Sequence, residues 1–398
     1  MTMRNLARVG ATGLLAAGTL ALAAAPALAA GVDFGLSLKG TTIAVGASSK
    51  PATVSFTNNG TSTPKKVGVL FDATKLDDSK VKLDLGDCTF TDGIADCVLD
   101  GSAVPGPGES ADLDIPLVKQ TGATGAAGKL TVTVEVDGDT NKANNSKTVT
   151  VTVGGSGVDL RVLAPDVTSV DADGEFTGKA IPPGGSSVVE GYVANHGDKI
   201  ATGFKVAFQL PKDVAFAEKF NDCEYSSDGR SVACEFAGFP LLPADLDTDS
   251  DEGVSALLVD FPVTVSKDAK GPVSLKGGSF TSTALGQQDV TDGRALAKRA
   301  APTLPAMATA LTAAEADKLD VDATDNTDDF AVLVAAPAAP AGGQGGGSGD
   351  ENGGGLPVTG PVAASVGGAG LAVVVVGGML FLAARRRRIV LVTPGDEK

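Results

Sequence analysis

The sequence predicts an all-β fold of two β-sandwich units, and three observations lead there. Apolar and polar residues alternate at 52–56 (ATVSF), 130–136 (LTVTVEV) and 148–153 (TVTVTV), the period that sends successive side chains to opposite faces of a strand. Turn pairs punctuate these runs at Asn59-Gly60, Asp92-Gly93, Asp137-Gly138 and Asp228-Gly229. No helical pattern longer than two turns occurs before residue 300. Thr on one face and Val on the other suits a sheet that is wet on one side and packed on the other.

The 398 residues leave room for two or three domains. Lys and Arg number 32 against 48 Asp and Glu, a net charge of −16. That balance argues against nucleic-acid binding, where a positive footprint supplies most of the affinity. A single His cannot furnish both a catalytic triad and a multi-histidine metal site.

In chain order, residues 1–29 read as a secretory signal. Arg4 and Arg8 form the positive region, residues 9–25 hold only Gly, Ala, Leu, Val and Thr, and Ala27-Leu28-Ala29 is a small-residue exit, placing cleavage between Ala29 and Ala30. Residues 32–155 and 158–290 then read as two versions of one unit. Val32-Asp33-Phe34 is answered by Val158-Asp159-Leu160, and Asn58-Asn59-Gly60 by Asn195-His196-Gly197. Residues 113–117 (LDIPL) are answered by 259–263 (VDFPV). Each unit carries a close cysteine pair, Cys88/Cys97 and Cys223/Cys234. Four cysteines in an exported chain point to disulfides, and pairing within each unit staples a hairpin around Asp92-Gly93 or Asp228-Gly229. In the second unit Gly286-Gln287-Gln288-Asp289 stands where the first has its Asn-rich turn, and no final strand is evident before residue 290.

Residues 301–355 change character: 335–341 is entirely Ala and Pro, and Gly-rich runs follow. They read as a disordered stalk. Leu356, Pro357, Val358, Thr359 and Gly360 come next, then the uncharged stretch 361–384, then the tail 385–398, which opens with Arg385 to Arg388. As a helix, 361–384 would span ~36 Å against a hydrocarbon core of ~30 Å, so a single C-terminal transmembrane helix is expected, with the arginines inside.

Other sites are weighed and set aside. Asp245, Asp247, Asp249, Asp251 and Glu252 begin like a calcium loop, but Ser250 stands where such a loop needs Gly and Ala256 where it needs Glu. Asp137, Asp139 and Asn141 read as a sandwich turn, and His196 as a surface turn residue. No nucleophile elbow, zinc-protease or phosphate-loop motif occurs in the folded region, so no catalytic residue, cofactor or metal site is expected.

The order of LPVTG, apolar stretch and basic cluster resembles the sorting signal of Gram-positive cell-wall-anchored proteins. That resemblance implies a sortase transpeptidase that cuts between Thr359 and Gly360 and joins the Thr359 carboxyl to a peptidoglycan precursor, with the chain in the membrane only during sorting. The chain departs from the pattern by continuing to Lys398. Residues 136–145 (VDGDTNKANN), followed by a Thr/Val strand, resemble the CARDB-like group of immunoglobulin-like adhesion-related repeats. The resemblance implies immunoglobulin-like sandwiches that space or present something, with a surface protein or polysaccharide as ligand. The expectation is therefore a non-enzymatic protein on the outer face of the cell wall, serving adhesion, recognition or wall structure. The alternative is an extracellular enzyme or ligand-binding module with a site built from loops.

Overall fold

Strict alternation in this chain becomes strands with one buried face. In the computed structural model, which describes residues 31–86, 88–246, 254–290, 307–311 and 321–337, Ala95, Cys97 and Leu99 point inward while their neighbours in the same strand are exposed. The first unit runs through β1 (Phe34–Lys39), β2 (Thr42–Ile43), β3 (Ser49–Asn58), β4 (Lys66–Leu76) and β5 (Val81–Leu83). It continues through β6 (Thr89–Thr91), β7 (Ile94–Asp100), β8 (Ser110–Lys119), β9 (Gly125–Glu135) and β10 (Ser146–Val153). One sheet has the order β1-β3-β8-β5, the other β2-β10-β9-β4-β7-β6. Phe34, Val54, Phe56 and Ile115 from the first sheet meet Val69, Phe71, Leu130 and Val132 from the second in one core. On the wet face, Thr131 pairs with Thr148 (2.8 Å) and Thr133 with Ser146 (3.0 Å), the cross-strand hydroxyl contacts expected of opposed residues.

The second unit contains β11 (Leu160–Leu163), β12 (Ser186–Asn195), β13 (Ile200–Gln209), β14 (Val214–Phe216) and β15 (Cys223–Tyr225). It continues with β16 (Ser231–Leu241), β17 (Ala256–Val265), β18 (Val273–Gln288), β19 (Ala308–Leu311) and β20 (Thr327–Val334). Its sheets are β11-β12-β17-β14, with β19 also on β17, and β15-β16-β13-β18-β20. Apart from β2 and β19, this order repeats that of the first unit strand for strand. Its core is more aromatic. Phe208 stacks on Phe280 with centroids 4.2 Å apart and meets Phe261 and Phe330 edge-on at 5.5 and 6.2 Å.

The N-x-G turns explain themselves in both units. Asn58 and Asn195 are fully buried. Asn58 donates to the Ser62 and Pro105 carbonyls, and Asn195 to those of Lys199 and Leu241. Their Oδ1 atoms accept from Gly60 and Gly197 two residues on. A Cβ on Gly60 would lie 2.4 Å from the Gly31 carbonyl oxygen, and one on Gly197 2.2 Å from that of Gly157. Only glycine lets the turn press against the strand that opens each unit.

Two expectations are corrected. The fold class included a single C-terminal transmembrane helix. Among the described residues strands prevail, and no helix is long and apolar enough to cross a membrane. The segment assigned that helix, 361–384, lies outside the described residues, as do the signal 1–29 with the Ala29–Ala30 cut, the motif 356–360 and the tail 385–398. Second, part of the stretch read as a core-free stalk is folded. The missing last strand of the second unit is β20, antiparallel to β18 from Val273↔Val334 to Thr281↔Thr327. It reaches its place after a long connection from Gln288, where the first unit needs only the short turn between Glu135 and Ser146.

Candidate functional site: a charged seam between the two units

The four cysteines are joined as Cys88–Cys97 and Cys223–Cys234, and no cysteine is free. Each bond lies beside an edge hairpin, β6–β7 or β15–β16, with Cys223 directly opposite Cys234 in register. Asp139 is a structural turn residue: its carboxylate accepts from the Phe34 and Asn141 amides. Asp137 stands beside it in the same turn, between β9 and β10. His196 is half-buried, with its amide on the Asp159 carbonyl. Of the acidic run, Asp245 is described, and Asp247, Asp249, Asp251 and Glu252 lie outside the described residues. Among the described residues no group of three or more His, Cys, Asp or Glu is arranged to hold a metal ion.

The densest polar chemistry lies elsewhere, where the two units meet. Four aspartates of the second unit each capture a backbone N–H of the first: Asp198 from Gly46 (2.9 Å), Asp245 from Ser48, Asp166 from Ser110 (2.8 Å) and Asp322 from Thr42 (2.7 Å). Carboxylates are strong acceptors for such N–H groups. Arg161 of β11 is buried and pairs with Asp114 of β8. At the centre is Lys50 of β3, a lysine with no exposed surface. Its Nζ donates to Asp322 Oδ2 at 3.0 Å and to the Thr42 carbonyl at 2.9 Å, and lies 3.5 Å from Asp325 Oδ2.

Local sequence sets this up. Asp322 opens a 3₁₀ turn, Ala323–Asp325, and caps it by accepting from the Thr324 amide. The turn delivers Asp325 inward and leads into β20. The first unit has the matching turn without the side-chain cap: Asn141 opens the turn Lys142–Asn144, and Asn145 precedes β10. The matched positions differ in one telling way. Asn144 donates its amide to Asp33 at 3.0 Å. In the second unit the residue matching Asn144 is Asp325, and the residue matching Asp33 is Asp159, so two buried carboxyls replace a carboxyl and an amide.

Burial opposes charge on all three acids, while Lys50 favours it on each and Arg161 favours it on Asp325. Burial works against charge on Asp322, but Lys50 and the hydrogen bonds from Thr324 and Thr42 overcome it and hold its carboxyl below the usual range. Burial pushes Asp325 up to about 6, with Lys50 opposing and Asp322 adding to the shift. Asp159 is driven well above the usual carboxylate range by burial, with Lys50 opposing and Asp325 and Asp322 contributing. The arrangement thus shifts Asp159 and Asp325 toward the neutral form relative to an ordinary carboxyl and Asp322 toward the charged one. The Thr324 hydroxyl also donates to Asp322 Oδ1 at 2.5 Å, so the contacts of this cluster fasten the turn to itself and to the first unit.

Elsewhere a shallow, open depression of about 380 Å³ lies on the outer sheet face of the second unit, lined in part by Gln209, Glu224, Ser231, Ser279 and Thr281. Ser231 already donates to Gln209, and Thr281 to the Ala207 carbonyl.

Sequence reasoning passed over Lys50, Arg161, Asp322 and Asp325, and met Asp159 only as a member of the repeat. The signal that could have found them was the spacing Asn141/Asn144/Asn145, repeated as Asp322/Asp325/Asn326 inside the supposed stalk.

No family model matches the chain, and no curated protein matches it. Among solved structures it is similar to AvmM, which catalyses macrocyclization in alchivemycin A biosynthesis, at 14% identity over 32% of this chain and 92% of that one, TM-score 0.20. It is also similar to native E. coli α2-macroglobulin, at 13% identity over 78% of this chain and 17% of that one, TM-score 0.23. A Corynebacterium diphtheriae protein described as membrane anchored matches at 12% identity over 78% of this chain and 93% of that one, TM-score 0.18. At such TM-scores these likenesses carry no argument about fold or function.

Proposed function

We propose that the chain is a sortase-anchored protein of the cell wall's outer face that serves adhesion, recognition or wall structure without catalysis. The observation that carries this reading is the run Leu356-Pro357-Val358-Thr359-Gly360 with an uncharged stretch and four arginines behind it. Two supports come from the fold. Each unit is closed by a disulfide, which suits an oxidising, exported setting. The last strand ends at Val334, which puts the Ala-, Pro- and Gly-rich residues between the folded units and the motif. The partners of this reading are a sortase and a peptidoglycan precursor, with a surface protein or polysaccharide bound by the folded units.

The test is Thr359→Ala in the producing cell. The protein is expected to leave the muramidase-released wall fraction for the membrane or the medium. An unchanged covalent wall fraction would refute the proposal.

A further inference from the structure

The two units are joined by Gly154-Gly155-Ser156-Gly157, a composition that by itself leaves orientation free. Orientation must come from the seam, and one segment supplies many of its contacts. We propose that residues 321–334 act as a strap shared by both units, so that completing the second sandwich and fixing it against the first are one event.

The two roles are interleaved along the strap residue by residue. Toward the first unit, Asp322 takes the Lys50 ammonium and the Thr42 amide, and Thr324 Oγ1 takes the Gly40 amide at 3.2 Å. The Thr327 carbonyl takes the Lys39 ammonium at 2.9 Å. Toward the second unit, the Asn326 carbonyl accepts from Ser282 and Asp328 accepts from Ala164, while Thr327 pairs with Thr281. Phe330, Val332 and Val334 enter the second core. With both sets of contacts interleaved from Asp322 to Asp328, there is no length of chain to serve as a hinge between them. The first unit offers the contrast: its matching turn meets Asp33 of its own unit. Asp166 ties the same parts again, its two oxygens accepting from Ser110 of the first unit and Ala331 of the strap.

The experiment uses the full chain with a dye on each unit, at Lys82 and Lys212, both exposed, read by single-molecule energy transfer alongside calorimetry. The native protein is expected to give one narrow distance distribution and one unfolding transition. Lys50→Met fills the buried space and leaves the β18–β20 pairing untouched. It is expected to broaden the distribution roughly twofold and to split the transition, because domain motion is the default once an interface is weakened. Asp322→Asn is expected to do the same to a smaller degree. Should Lys50→Met not fold, Thr324→Val with Lys39→Ala, both at the seam's edge, carries the test with the same two readings. Variants that fold and keep a narrow distribution and a single transition would overturn the strap.

Discussion

Replacing Asp325 with Asn copies into the second unit what the first already has at Asn144, and the consequence can be worked through in sign and size. Asp325 titrates at about 6 in the folded protein against 3.8 ordinarily, chiefly because of burial. A carboxyl whose folded value is raised binds its proton more tightly folded than unfolded. Stability is therefore undiminished below about pH 4 and is lost as pH rises toward 6, after which the loss is constant. At about 1.36 kcal/mol per unit the span corresponds to roughly 3 kcal/mol at neutral pH. For a unit of this size that is about 6–12 °C in Tm. The amide introduced by Asp325→Asn would carry no charge to desolvate and could donate to Asp159, as Asn144 does to Asp33. Thermal unfolding of Asp325→Asn followed by circular dichroism from about pH 4 to 7 should show a flattened pH slope and a higher Tm at neutral pH. A variant with the native slope, or one less stable at neutral pH, would refute the argument that Asp325 is a strained buried acid.

Other outcomes follow from the same contacts. Asn195→Ala removes four hydrogen bonds at a fully buried site; at about 1 kcal/mol each the second unit should lose about 4 kcal/mol in urea unfolding, and a loss under about 1 kcal/mol would contradict that role. Reducing Cys223–Cys234 opens a loop of sequence separation 11, so stability should fall by about 2–3 kcal/mol, measurable as Cys223→Ala/Cys234→Ala against the native chain. As pH falls below about 4, Asp322, whose carboxyl is held low, gives up its pairing with Lys50. Stability should decline there, in the opposite sense to Asp325, and a curve still rising at about pH 3 would rule out that pairing as a contributor.

The parts of the fold that could be read from the sequence are those governed by short-range periodicity. The Val/Thr alternation of 148–153 becomes β10 with Val151 and Val153 buried. Cys88/Cys97 and Cys223/Cys234, whose spacing suits a hairpin, are joined beside paired strands. The Asn58 and Asn195 turns were visible as a repeat, though not as plugs that hold distant carbonyls and amides together. What escaped was long-range. Residues 327–334 (TDDFAVLV) carry a strand-like end, but they follow an Ala-rich stretch and stand far from the rest of their unit, so composition over a window outweighed the few residues that matter. Lys50 was equally hidden. It lies on the core face of β3, in step with Ala52 and Val54, where a lysine is rare unless distant acids arrive to meet it. Those acids come from 272 residues away.

The long connection between β18 and β20 has a consequence for how the molecule would be handled by proteases. A nick anywhere between Val290 and Met307 severs the covalent route to the last strand but removes none of its ladder with β18, its phenylalanine or its grip on Lys50. The cut protein would remain whole in solution and come apart only under denaturant or force. By the same logic, two separately made pieces that meet at that junction should find one another and reassemble, and each would be a reporter for the other.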